Sequence, residues 1–143
     1  MEASIFKIKT PLITGGRSHM PLARTDLVTV VLNYYAVGRK NTLHTHPGQD
    51  HVFVVLDGEA TFYGREDKAT VLKKGQGIML PDGWYYWFQN TGEKPLALLR
   101  FGARKEKPEI GRIDIKGKTS GEDATEYVCV DGTPVMGVDW EMS

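Results

Sequence analysis

Cysteine is almost missing from this chain, with one (Cys129) in 143 residues. That excludes an intrachain disulfide and a zinc site built on cysteines, and Cys129 reads as a small buried hydrophobe near a C-terminal strand. Net charge is missing too. Lys+Arg and Asp+Glu number 18 each, so no global field draws the protein to nucleic acid or an anionic membrane, and no basic run interleaves with aromatics. No nucleic-acid partner is expected. Nothing approaches the run of about 18 apolar residues that spans a bilayer, and Met1–Lys7 holds no apolar stretch of signal-peptide length. The expected setting is the cytoplasm, away from membranes. A sustained helical period of apolar residues is also lacking.

What is present reads as strand after strand. With 41% hydrophobic residues the chain can bury an ordinary core, and its 16 glycines are spread as tight turns require. Residues 4–9 alternate like a short strand, and 10–26, rich in Pro, Gly and Thr, read as irregular. Strands are then expected over 27–36, 43–46, 51–56, 60–63, 69–72, 78–80, 84–89 and 95–101, broken by turns such as Asp57-Gly58 and Pro81-Asp82-Gly83. Such short, even spacing argues for an antiparallel sandwich or small barrel. Beyond Gly102 the chain turns charged and Gly-rich, with possible strands at 112–116 and 126–130 and a turn at Asp131-Gly132-Thr133-Pro134. One domain over 1–143 is expected, its core barrel about 27–102. The segment 103–143, too short and polar for its own core, would wrap over the barrel or over a partner subunit.

Histidine is scarce, at four in the chain, and three of the four stand in His44-Thr45-His46-Pro47-Gly48-Gln49-Asp50-His51. Neutral imidazole is a common ligand for transition metals. Residues i and i+2 of a strand point to one face, so His44 and His46 can grip one ion, and His51 can close on it after the Pro-Gly turn. His19, outside the cluster, reads as an ordinary hydrogen-bonded histidine.

The spacing around these residues resembles the cupin superfamily. Five residues separate Gly38 from the His44-Thr45-His46 pair, four more lead to His51, and six more lead to Gly58. This matches the family's first motif, with His51 where a glutamate is usual. The second motif is matched by Gly75, Pro81, Gly83, Tyr86 and Asn90 in order and spacing, with Tyr86 where the last histidine is usual. The run His44–Gly48 is similar to that of germin-type cupins. The resemblance implies an all-β, antiparallel, double-stranded β-helix: a jelly-roll barrel of six to eight strands. Gly38, Gly58 and Gly83 suit turns of positive φ, and Pro81 presets the last of them.

The resemblance also implies one divalent transition ion inside the barrel. His44 and His46 would be ligands, with His51 in the place of the carboxylate. Fe(II) is the favoured ion, and Zn, Ni, Mn and Cu also suit three nitrogens with open positions. Tyr86 would be a fourth ligand, a hydrogen-bonding phenol acting as acid or base, or barrel filler. Asp50 would face the loop or orient a histidine. Alternation turns Phe53 and Val55 inward with His51, and Trp84 and Phe88 inward with Tyr86. Arg100 could pair with a carboxylate or enolate if it faces in. Tyr34, Tyr35 and Tyr63 are not assigned to a face. The expected function is a mononuclear metal enzyme, dioxygenase-like, acting on a small aromatic or enolisable molecule. The alternatives are a non-redox isomerase, cyclase or lyase, and a non-catalytic ligand-binding cupin. A homodimer is the expected assembly.

Overall fold

The computed structural model describes residues 2–66, 68–106, 110–121 and 129–142, without the side chains of 120, 121 and 129. The expectation for Cys129's side chain and most of the strand expected at 126–130 therefore lie outside the described residues. Those residues contain twelve strands and no helix, so no helix is long and apolar enough to cross a membrane. The strands are β1 (Lys9–Arg24), β2 (Val28–Tyr35), β3 (His44–Thr45), β4 (Gln49–Asp57), β5 (Glu59–Tyr63), β6 (Ala69–Lys73), β7 (Gly77–Leu80), β8 (Trp87–Asn90), β9 (Leu96–Arg104), β10 (Ile110–Asp114), β11 (Thr119–Gly121) and β12 (Cys129–Glu141).

The large sheet has the order β12-β1-β2-β9-β4-β7, and two small sheets have the orders β6-β5-β8 and β11-β10-β3. Every described pairing is antiparallel. Isolated bridges Lys40↔Gln89 and His44↔Tyr86 carry one small sheet into the other. Between this composite sheet and the large one lies the main core, which includes Tyr35, Phe53, Phe62, Tyr86, Phe88 and Leu98. Burial follows the period of two that a sheet imposes: along β4, Phe53 and Val55 are buried while Val52 and Val54 are partly exposed. Strands β2 to β9 account for the eight strands expected of the barrel.

The turns hold the spacing that the sequence displayed. Gly38, Gly58, Gly75 and Gly83 have φ of 78°, 87°, 84° and 83°. At Gly58 a Cβ would also lie 2.8 Å from the Pro95 carbonyl oxygen, so the position suits only glycine. Asn90, the closing residue of the second motif, donates its amide to the carbonyls of Tyr35 and Lys94 and accepts from the Gly92 N–H.

Three expectations fail at the chain ends. Residues 4–8 form no strand, because pairing with β12 begins only at Lys9↔Glu141, and Ile5 is left fully exposed. Residues 10–26 are not irregular but belong mostly to β1, whose register shifts follow Pro11 and Pro21; bulges are where a strand tolerates proline. The turn expected at Asp131–Pro134 lies inside β12, where Gly132 crosses Gly16. There the β1/β12 ribbon bends so that Ile13 and Trp140 pack with Leu32 and Tyr34 in a second cluster on the outer face of the large sheet.

A Cβ on Gly16 would overlap the Asp131 carbonyl, and its φ of 76° disfavours any side chain. Gly16→Ala should therefore cost about 2–3 kcal/mol. Gly38→Ala, at similar φ but in open space, should cost only about 1 kcal/mol. Urea unfolding of the two variants checks the difference.

Candidate metal centre

The histidines are placed by backbone pairing. His44 N–H donates to Tyr86 O (3.0 Å) and Tyr86 N–H to His44 O (2.9 Å), so the two residues stand directly opposite and their side chains share a face. Alternation returns His46 to that face. A turn closed by Gln49 N–H to His46 O (3.2 Å), with Gly48 at φ 74°, leads into β4. There His51 lies between Gly102 of β9 and Leu80 of β7. Asp82 Oδ1 accepts from Gly48 N–H (2.7 Å) and Asp50 Oδ1 from Asp82 N–H (2.8 Å), tying the two motif loops together. Asp50 thus faces the loop and holds a turn.

All three rings are inside the barrel, with His44, His46 and His51 only 3%, 4% and 2% exposed. The His44 and His46 ring centres are 5.0 Å apart, those of His46 and His51 4.2 Å, and those of His44 and Tyr86 4.5 Å. His44 Nδ1–H donates to Thr42 O (2.5 Å) and His46 Nδ1–H to Gly111 O (2.6 Å), which leaves Nε2 of each as the bare lone pair. His51 Nε2–H points at Gln49 Oε1 (3.2 Å), and its buried Nδ1 has no hydrogen-bond partner.

Burial keeps these rings neutral. It lowers the His44 pKa from 6.5 to about 3, helped by the charges of Arg112, Arg100 and Arg17 and opposed by the bond to Thr42. Burial first holds both His46 and His51 well below the usual range, followed by the neighbouring histidines and then Arg100 for His46, and by Arg100 and then His44 for His51. Burial also pushes the Tyr86 phenol above its ordinary 10, with Arg100 and Arg112 acting the other way. Neutral imidazole is the form that binds a metal.

The donor chemistry suits a transition ion: two imidazoles fixed through Nδ1 to carbonyls, as in many metal sites, and a third with an orphaned buried nitrogen. Convergence is what the arrangement lacks. The His46 and His51 rings are tilted by 36° with their centres 4.2 Å apart. Among the described residues, no group of three or more His, Cys, Asp or Glu side chains is arranged to hold an ion. His44 and His46 are positioned as a pair, and a third bond requires His51 to re-aim.

Phe53, Val55 and Phe88 are buried in the core, as alternation places them. Arg100 is inward too: it pairs across the sheet with Val31 and Phe53 and is 4% exposed. Trp84 is the correction, since it is 55% exposed. β8 begins only at Trp87, and Trp84 belongs to the Pro81–Gly83 turn, closed by its N–H to Pro81 O (3.0 Å), so alternation cannot be extended back to it. Tyr35 faces inward against Phe88, Tyr34 faces outward against Trp140, and Tyr63 stacks on Trp87. His19 bonds Asn33 (2.9 Å).

Sequence reasoning missed Gly102, Arg17 and Arg112. A Cβ on Gly102 would lie 3.3 Å from His51 Nε2 and 2.5 Å from Thr29 Oγ1, so glycine makes the room for that ring. A glycine inside an apolar strand is the signal that could have found it. Arg17 donates to the Tyr35 hydroxyl (3.1 Å) and Arg112 to Thr42 Oγ1 (2.8 Å). Neither was legible, because each lies in a segment read as loop or extension.

Comparison with known proteins agrees with this architecture. A cupin-domain family model matches residues 31–101. Over 87 residues the chain is 36% identical to germin-like protein subfamily 3 member 3 of Arabidopsis thaliana, covering 57% of this chain and 37% of that protein. It thus spans little more than a third of that relative's length. Among solved structures, a double-stranded β-helix protein from Klebsiella pneumoniae superposes with a TM-score of 0.59 at 21% identity, covering 73% of this chain and 78% of the other. An oxalate oxidase gives a TM-score of 0.58 at 19% identity, covering 71% and 56%. The chain belongs to the cupin superfamily.

Because the folded pKa of His44 lies far below 6.5, the unfolded chain binds the proton first on acidification. Stability of metal-free protein should be flat above about pH 7 and fall steadily as the pH drops from about 6.5 towards 4. Urea midpoints across that range measure it, and His44→Gln should flatten the slope.

Proposed function

We propose that this cupin is a mononuclear metal enzyme that oxidises or cleaves a small enolisable or aromatic organic molecule with O2. The observation that carries the reading is the packing of three neutral, buried imidazoles beside Tyr86 and Arg100 within one apolar barrel. His44 and His46 would hold the ion through Nε2, and His51 would complete the set through its orphaned Nδ1. Fe(II) is the ion favoured. When bound it supplies a Lewis-acid and redox centre with positions left for substrate and O2. Likeness in fold to an oxalate oxidase supports such chemistry on a small oxygen-rich molecule.

The chain's own groups define the rest. Arg100 places a fixed positive charge beside the histidines, which favours a carboxylate or enolate oxygen and opposes a bare cation. The ion and its anionic ligand should therefore bind together. Tyr86, kept as a neutral phenol, can donate a proton to a developing oxyanion or orient it. Phe53, Phe62 and Phe88 exclude water around the reacting atoms. The same neutral phenol favours a second reading, in which Tyr86 moves a proton and the reaction is a non-redox isomerisation or lyase step.

Metal analysis of untagged protein, before and after loading with Fe(II), Ni(II), Zn(II) or Mn(II), should give about one ion per chain, bound more tightly with a carboxylate present. A stoichiometry near zero under every condition would sink the metal reading. Oxygen uptake with diketone and catechol panels separates the two chemistries. Tyr86→Phe should leave metal content unchanged and lower turnover by about 10²-fold; loss of metal would make Tyr86 a ligand instead. Gly102→Ala should weaken metal binding by about tenfold or more, by displacing His51.

A further inference from the structure

The large sheet ends at β7 and the composite sheet at β6. These two edges face each other across a seam that contains a cavity of about 240 Å3. Ile78 and Leu80 of β7, Phe62 of β5, Thr70 of β6, Trp84 and Tyr86 are among the residues lining it. Gly64, Lys68 and Trp84 also line an adjoining surface depression of about 440 Å3, which includes Arg65 and Tyr85. Met79, on the outer rim of the cavity, is 61% exposed. A mostly apolar cleft thus leads from solvent to the ring of Tyr86, which also packs against His44 at 4.5 Å and Phe53 at 5.7 Å.

Strand register fixes how far the cleft lies from the charged end of the site. Ile78 pairs with Phe53, and Phe53 with Arg100; in the next inward row Leu80 pairs with His51, and His51 with Gly102. Adjacent strands are about 4.8 Å apart, so His51 is one strand in from the cavity wall and Arg100 about 10 Å in. The Tyr86 ring lies 6.1 Å from that of Phe62 in the cleft and 4.5 Å from that of His44, so it stands between the cleft and the histidines.

We propose that the β6/β7 seam is the substrate entrance, and that the substrate is a small acid with a phenyl-sized apolar body in the cleft and its anionic end beside Arg100. A phenyl ring on a two-carbon chain ending in a carboxylate matches this span, whereas a bare two-carbon diacid fills only the inner end. The proposal rests on the metal-enzyme reading only for what happens after binding. Phe62 and Trp84 face the body of the ligand, and the Tyr86 ring is the wall that its anionic end passes.

Calorimetric titration of acetate, oxalate, phenylacetate and 3-phenylpropionate into metal-free and Zn(II)-loaded protein tests this. Affinity should rise along the monocarboxylates, 3-phenylpropionate exceeding acetate by about tenfold or more, as burial of a ring requires. Thr70→Trp, which fills the entrance, should weaken 3-phenylpropionate by about tenfold and slow the entry of acetate as well, and Met79→Ser, which removes apolar surface from the rim, should weaken 3-phenylpropionate more than acetate. Both positions are exposed, so circular dichroism should show the fold intact. Lys68→Glu should change binding by less than about threefold, because the anionic end lies inside. A tenfold loss in Lys68→Glu, equal affinity along the series, tightest binding by oxalate, or no binding by any acid would overturn the proposal. Chain-length dependence that persists in protein unable to consume O2 would support the entrance and remove only the oxidation.

Discussion

Two backbone hydrogen bonds between His44 and Tyr86 carry more of this molecule than their number suggests. β3 is two residues long, yet through that reciprocal pair it joins one small sheet to the other and closes the second wall of the barrel. The same pair turns both side chains inward and opposes them, so closure of the fold and assembly of the site are one event. A further strand completes it: β10 pairs with β3, and the Gly111 carbonyl of β10 fixes the tautomer of His46. The segment after the last barrel strand is therefore part of the site's scaffold.

The electrostatics of the interior have a consistent sign. Neutral imidazoles can be buried at modest cost, but a buried guanidinium is costly to desolvate. Arg100 is buried in the middle of the large sheet, and Arg17 and Arg112 add their fields from the two outer segments of the chain. Among the described residues, the permanently charged groups with the largest effect on the three histidines and Tyr86 are arginines. With His51 where the family's usual glutamate stands, this position contributes an imidazole in place of a carboxylate.

The barrel was legible because its signals are local. Glycines at positive φ, Pro81 before a turn and alternation along 51–56 each act within a few residues, and they place eight strands and the inward faces of Phe53 and Phe88 correctly. The chain ends were not legible, since prolines and glycines in β1 and β12 mark bulges and a crossing between strands more than a hundred residues apart. Trp84 shows the limit of alternation: it fails wherever a turn extends one residue further than expected. The histidine cluster was visible as spacing, but the room for the His51 ring depends on Gly102, a partner about fifty residues away.

The site's contacts are drawn from distant parts of the chain. The Asp50–Asp82 clasp spans 32 residues, and the bond from His46 to Gly111 spans 65. Loop-closure entropy for such contacts must be met before they stabilise anything, which slows chains rich in non-local pairing. The histidine chamber is therefore expected to form after the local hairpin β5–β6. A newly made chain passes through a stage at which its imidazoles are still solvated and protonatable, and capture of an ion at that stage would compete with barrel closure.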